Sequence, residues 1–238
     1  MLDDIRFCID IADLTVELNT RYEGNRTFCR EFLSDSEKID IFASVDGSEI
    51  DDEMKAYDVA LSRQYCECVC LYRSIAEQLP EFDRFVFHGA SIKVGEKGYI
   101  FTAPSGTGKS THVGLLMKYF GEQVTVINGD KPIIGILSDG ARVYSCPWAG
   151  KENWKNNISA PLGGIILLKR GTTNRIKRIF PGEYFDELFK QVYLPKNGEM
   201  MLKTLELIDR LAESVPFYLL ECDMSKEAAE TSYKIMKK

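Results

Sequence analysis

The chain has 238 residues, enough for one large domain or a main domain with an appendage. Hydrophobic residues make up 45% and charged residues 28%, which excludes a largely disordered chain. Thirty Lys+Arg against 36 Asp+Glu give a net charge of −6, which argues against a general nucleic-acid binder, since such proteins carry a basic excess.

The first ten residues, MLDDIRFCID, put acids where a secretion signal needs bases followed by an apolar core. Apolar runs such as that around residues 163–168 fall far below the roughly 20 residues of a membrane helix. The expectation is a cytoplasmic protein with no membrane partner. Charge is unevenly spread: residues 1–58 hold 16 acids and 6 bases, and residues 59–238 hold 20 acids and 24 bases. That shift predicts an acidic N-terminal accessory region over residues 1–60, of small α+β type, and a main domain over 61–238. The acidic part either recruits a basic partner or forms a solvated cap packed on the main sheet. Within it, residues 7–18 and 39–45 alternate as strands do, and 46–53 (DGSEIDDE) read as an acidic loop.

Seven cysteines without a secretion signal predict reduced thiols. Cys66, Cys68 and Cys70 invite a zinc reading, but the second pair or histidine set such a site needs is missing, so they read as small apolar residues of a packed element.

From residue 60 the pattern sharpens. Residues 65–79 have helical apolar spacing and stop at Pro80. Residues 85–94 read as a strand, 95–98 as a turn, 99–103 as a short buried strand and 110–120 as a helix closed by Gly121. Residues 124–128 form a β-branched strand, and 133–137 and 142–146 flank the hairpin signal Asp139-Gly140. Strands follow at 162–169 and 175–180, joined by Gly171-Thr172-Thr173-Asn174. Helices fit 182–193, 200–214 and 226–237, with a strand at 216–221. Several strands are apolar throughout, so both faces of the central sheet should be covered. The fold class is α/β.

The sharpest motif is Ala103-Pro104-Ser105-Gly106-Thr107-Gly108-Lys109-Ser110, a phosphate-loop pattern with Ala for the usual first Gly, between an apolar strand and a helix. Gly106 and Gly108 let the backbone turn so that successive N–H groups face one hollow, and the helix N-terminus adds partial positive charge. Ser105, Gly106, Thr107, Gly108, Lys109, Ser110 and Thr111 are the candidate cofactor-binding residues. Lys109 can reach β- and γ-phosphates, and Ser110 can ligate Mg²⁺. The next strand ends in Gly129-Asp130-Lys131, and Asp130 sits where a metal-holding or proton-accepting carboxylate belongs.

Together, His88-Gly89-Ala90, Ser-Gly-Thr-Gly-Lys-Ser-Thr-His at 105–112 and Ile-Asn-Gly-Asp-Lys at 127–131 resemble the catalytic domain of HPr kinase/phosphorylase. That domain is related in fold to ATP-dependent phosphoenolpyruvate carboxykinase. Pro147-Trp148-Ala149-Gly150-Lys151, Asn157 and Ala160-Pro161-Leu162 are similar to HPr-kinase-like proteins of peptide-modification gene clusters. The resemblance covers about residues 80–222 and implies a P-loop nucleotide-binding core of this type. It further implies Mg²⁺-dependent transfer of a phosphoryl group from ATP, or another nucleoside triphosphate, to a serine hydroxyl. Lys109 and Ser110 carry over, and Asp130 matches the second member of the family's Asp-Asp pair. Gly129 stands where the first Asp is expected, and that Asp is implicated in activating the acceptor hydroxyl. Either Asp130 does both jobs, another residue supplies the base, or activity is weak.

His88 either approaches the phosphates or is structural; Lys151 can meet transferred phosphate or substrate, and Asn157 can ligate metal or hold substrate. The candidate catalytic residues are therefore Asp130, Lys109, Lys151 and His88, and the candidate metal ligands Ser110, Asp130 and Asn157. Lys131 can contact phosphate, Trp148 reads as packing, His112 lies beside the site, and Arg170 and Arg175 read as solvated strand ends. The expected function is a Mg²⁺- and ATP-dependent kinase acting on a hydroxyl of a peptide, protein or small molecule. The alternatives are a nucleotide- or partner-binding module that has lost catalysis, and a carboxykinase-like enzyme. Whether copies of the chain associate is open; HPr kinases form hexamers.

Overall fold

In the computed structural model, which describes residues 5–237, the first alternating segment is a hairpin rather than one strand. β1 (Ile5–Ile11) and β2 (Leu14–Thr20) pair antiparallel across Ala12 and Asp13, whose φ angles of 53° and 60° suit a two-residue hairpin turn. After α1 (Glu23–Phe28), the short strands β3 (Leu33–Ser34) and β4 (Ile41–Ala43) complete a sheet ordered β3-β1-β2-β4.

Residues 46–53 are not the loop their composition suggests. They enter α2 (Gly47–Lys55), which Asp46 starts through a capping box. The Asp46 carboxylate accepts from the Ser48 and Glu49 amides, and Glu49 accepts the Asp46 N–H at 2.8 Å. The Asp-x-x-Glu spacing was the overlooked signal. α3 (Arg63–Gln78) then crosses the first sheet, with Cys66, Leu71 and Ile75 buried in one apolar cluster that also takes in Val86, Ile133, Tyr144 and Trp148. Cys68 and Cys70 are also buried there, and all seven cysteines are free thiols. The N-terminal sheet and the central sheet therefore share a core. Glu67, wholly buried on α3, is answered by the Arg21 guanidinium at 2.9 Å, by Asn25 at 2.9 Å and by the Thr20 hydroxyl.

The central sheet begins with β5 (Arg84–Val86), β6 (Ala90–Val94) and β7 (Lys97–Thr102). After α4 (Lys109–Phe120) come β8 (Val124–Asn128), the hairpin β9 (Ile133–Leu137) and β10 (Gly140–Tyr144), and the long β11 (Ser159–Arg170). β12 (Arg175–Ile179), α5 (Phe185–Phe189), α6 (Gly198–Ser214), β13 (Phe217–Cys222) and α7 (Lys226–Met236) follow. The order is β5-β9-β10-β11-β7-β6-β8, with β13 beside the second half of β11 and β12 beyond it. β7, β11 and β13 are parallel; β6 is antiparallel to both β7 and β8. The C-terminal ends of β8, β7, β11 and β13 consequently share one sheet edge, where open α/β sheets bind ligands.

Alternate residues of β7 serve different layers. Phe101 packs with Val113 and Leu116 of α4 and Ala228 and Ala229 of α7, whereas Ile100 packs with Leu207 and Leu211 of α6. This two-sided burial explains why strands such as 165–168 are apolar throughout.

Two further readings change. The strand expected over 85–94 breaks at residues 87–89, and the helix expected over 182–193 is α-helical only at Phe185–Phe189. The two breaks answer each other. The chain at 191–193 runs antiparallel to 86–88, with the His88 N–H on the Gln191 carbonyl at 2.6 Å and the Tyr193 N–H on the Val86 carbonyl at 3.0 Å. Backbone groups left open by one irregular segment are satisfied by the other. Among the described residues no helix is long and apolar enough to cross a membrane.

Candidate functional site

Between the end of β7 and α4 the chain makes a tight turn at residues 103–108. Gly106 and Gly108 hold φ angles of 76° and 117°, a region where a Cβ is costly, and no atom crowds the place a Cβ would take. Backbone conformation, not space, requires glycine there. The Thr107 N–H and hydroxyl both donate to the Pro104 carbonyl, at 3.3 and 2.8 Å. Arg170, from the end of β11, donates to the Gly106 carbonyl at 2.5 Å and the Thr107 carbonyl at 3.1 Å. Arg170 is therefore a brace for the turn, not merely a solvated strand end. α2, α3, α6 and α7 each start on a side-chain cap, from Asp46, Ser62, Asn197 and Ser225; α4, like the one- to two-turn helices α1 and α5, has none. The first amides of α4, where Ser110 and Thr111 sit, remain available to an external acceptor. The Lys109 amine is half-buried and donates to the Ala103 carbonyl at 2.9 Å. Burial lowers its pKa, against the opposing charge of Asp130.

β8 ends in Asn128, which is wholly buried and organises the neighbouring turn. Its Oδ1 accepts from the Asp130 and Lys131 amides at 2.9 and 2.8 Å, and its Nδ2 donates to the Cys146 and Trp148 carbonyls at 3.0 and 3.3 Å. Sequence reasoning took Asn128 only as a strand end; an Asx turn preceding Gly-Asp was the usable signal. Asp130 Oδ1 lies 3.4 Å from His88 Nε2, and Oδ2 is paired with the Lys131 amine. Burial alone would raise the pKa of Asp130, but hydrogen bonds from His88 and Lys131 and their charges hold it well below the usual carboxylate range. His88 Nδ1 lies 2.8 Å from Gln191 Oε1, and its carbonyl accepts the Thr102 hydroxyl at 2.9 Å, just before the turn. The Gly89 N–H completes the link with a 2.9 Å bond to the Asp130 carbonyl.

Gly129 has a steric explanation. A Cβ there would lie 3.0 Å from the Ala149 carbonyl and 3.3 Å from the Trp154 carbonyl, so the backbone of the following loop closes over it. A side chain at this position needs that loop to give by a few tenths of an ångström.

His88, Asp130, Lys131 and Lys151 line one groove of about 860 Å³, whose far wall is N-terminal: Tyr57 and Tyr65 contribute to it. Trp148 belongs to its floor. It is buried, stacks on Tyr72 at 4.5 Å and donates to the Cys68 carbonyl at 3.0 Å.

Asn157 is not brought to this group. Its amide donates to the Glu31 carbonyl at 3.0 Å, tying the loop to the N-terminal region, and its neighbour Asn156 binds alongside β8 at Val126, short of Asp130. The expected metal role for Asn157 has no support in this placement. Arg175 pairs with Glu221.

His112, on α4, is buried against α7, 2.9 Å from the Ser232 hydroxyl, and burial lowers its pKa to about 4. Its proton is taken up on unfolding, so stability falls with pH from about 6.5 down to about 4. Full protonation costs about 3 kcal/mol for that difference. Denaturant titrations at pH 7 and pH 4.5 are expected to show part of this loss, and His112→Gln to lack it.

No protein-family profile matches the chain, and no curated protein matches it. Among solved structures it is similar to the Hpr(Ser) kinase/phosphatase from Coxiella burnetii, with a TM-score of 0.39 and 11% identity, over 63% of this chain and 87% of that one. A likeness this remote decides nothing about the chemistry, which rests on the residues themselves.

Proposed function

We propose that the chain is a kinase: the turn at residues 103–108 and the start of α4 hold the phosphates of a nucleoside triphosphate, and its γ-phosphoryl group passes to a hydroxyl bound in the groove. One observation carries the reading. An uncapped helix start with a braced glycine turn lies on the same sheet edge as a carboxylate held ionised, and that carboxylate lines a groove large enough for an acceptor.

Ser110 and Asp130 supply one hydroxyl and one carboxylate, a hard oxygen set of the sort Mg²⁺ takes when phosphates fill its remaining positions. Bound there, the ion would neutralise phosphate charge. Lys109 would leave the Ala103 carbonyl for β- and γ-phosphate oxygens. In-line transfer demands positioning and charge neutralisation more than covalent chemistry. His88 and Asp130 are the groups at hand for the acceptor hydroxyl, and Lys131 and Lys151 add positive charge along the groove.

The test is calorimetric titration with Mg²⁺–ATP, followed by incubation with γ-labelled ATP, Mg²⁺ and a cell extract to find the labelled product. Micromolar binding and a labelled molecule support the kinase. The tight fit around Gly129, where no acid stands, favours a second reading, a nucleotide-binding module without catalysis, which predicts binding and no labelled product. Arg170→Ala, which frees two turn carbonyls, is expected to weaken Mg²⁺–ATP binding by about tenfold in the same titration, from the loss of two bonds that preorganise the turn.

A further inference from the structure

Away from the glycine turn, between α5 and α6, the chain leaves an apolar pocket of about 200 Å³. Four phenylalanines line it. Phe87 and Phe217 are buried and form its floor, and Phe185 and Phe189 of α5 stack at 4.9 Å in its outer wall. Ile208 and Ala212 of α6 close the opposite side. Among the described residues that line the pocket, Asp209 alone is charged, and it is exposed. The cations next to these walls in sequence are engaged elsewhere. Arg210 pairs with Asp83 at 3.3 Å, and Lys190 lines the groove that holds Asp130. Glu183 and Asp186, exposed beside the outer wall, add negative potential near the mouth.

We propose that the α5–α6 pocket binds a small lipophilic amine: its ring enters the phenylalanine cage, and its ammonium group meets Asp209. Water gains nothing in such a lining, and an apolar cavity of about 150 Å³ takes up benzene. The volume here holds one ring with a short side arm. Aromatic faces attract a cation, and the carboxylate at the rim supplies the counter-charge. The site stands apart from the nucleotide reading, but its floor touches the strip that holds His88. Phe87 and Val192, bridged to each other, are the chain neighbours of His88 and Gln191. An occupant is thus placed to move His88, and its effect on phosphoryl transfer rests on the kinase reading.

The test is calorimetric titration at neutral pH with three probes of one shape: phenethylamine, neutral phenethyl alcohol and anionic hydrocinnamate. The amine is expected to bind with a Kd of about 1 mM, the alcohol about fivefold more weakly, and the carboxylate at least about tenfold more weakly. Asp209→Asn, at an exposed position, is expected to bring the amine down to the alcohol and leave the alcohol within about twofold. Ala212→Phe, which fills the pocket, is expected to abolish binding of both; Phe185→Ala, at a half-exposed wall, weakens both about tenfold. In histidine NMR spectra the His88 imidazole signal is expected to move with the amine. That of His112, packed on Phe101 across the sheet, stays. Equal affinity for the three probes, an amine preference that survives Asp209→Asn, or no binding at millimolar amine overturns the assignment. So does undiminished binding in whichever wall variant melts cooperatively, or an unmoved His88 signal. Each of these outcomes leaves the kinase reading standing, whereas absence of Mg²⁺–ATP binding removes that reading and spares the amine site.

Discussion

Lys109→Ala is expected to abolish detectable phosphoryl transfer and to weaken Mg²⁺–ATP binding by about 10²-fold or more, as removal of a charged group aimed at developing negative charge does. The amine is already poised in a half-buried position, held by the Ala103 carbonyl beside the hollow of the turn. Its replacement removes a cation from a place water reaches poorly, and such a charge is worth more than one at the surface. Lys109→Arg restores the charge but not the geometry, because a planar fork cannot follow the path of a linear amine. Thermal melting separates the effects: the Ala variant keeps its fold, since the amine makes one bond to the backbone and α4 is anchored by Val113 and Leu116. Full binding and transfer by Lys109→Ala would end the phosphate-loop reading.

Asp130→Asn is expected to retain Mg²⁺–ATP binding within about tenfold yet lower transfer by about 10³-fold, since positioning and neutralisation carry this chemistry. The amide keeps the shape but loses the charge that holds His88 and Lys131. A pH series adds a sign. Asp130 has a lowered folded pKa, so its contribution to stability is complete above the ordinary carboxylate value of 3.8 and is lost progressively as pH falls from there to the lower folded value. The stability gap between unmodified chain and Asp130→Asn therefore stays constant from neutral pH into mild acid. Gly129→Asp is expected to lose stability without gaining activity, because its side chain meets the Ala149 and Trp154 carbonyls. A Gly129→Asp variant that folds normally and transfers phosphoryl faster would show that the loop yields and that the missing acid matters.

Much of the site was legible because it depends on short-range rules. A glycine turn between an apolar strand and a helix, then an acid at the next strand's end, is local sequence grammar. The same rules gave the hairpin at Asp139-Gly140 and the two-sided burial of the central strands. What escaped was set by distant partners. Arg170 lies about sixty residues from the turn it braces, and nothing near it in sequence names that turn. Gln191 reaches His88 only because two irregular segments complete each other's backbone bonds. Asn157 was placed by motif order, yet its amide was taken by the Glu31 carbonyl of the N-terminal region. α2 was hidden by composition, since a glycine and five acids obscured the capping box that starts it.

The pairing of Asn128 with Gly129 has a chemical consequence for how the protein ages. In an unfolded chain the amide nitrogen of a glycine attacks the carboxamide of a preceding asparagine, ammonia leaves, and the resulting ring opens to aspartate or isoaspartate. Here both participants are occupied: the Gly129 nitrogen donates to the Trp154 carbonyl at 2.8 Å, and the Asn128 carboxamide is bonded at both ends. Folding thus shields the dipeptide, while time spent unfolded converts it. A molecule refolded after that conversion would present a carboxylate to the Cys146 and Trp148 carbonyls, so the same side chain that shapes the turn also limits how long the chain can stay denatured and still return.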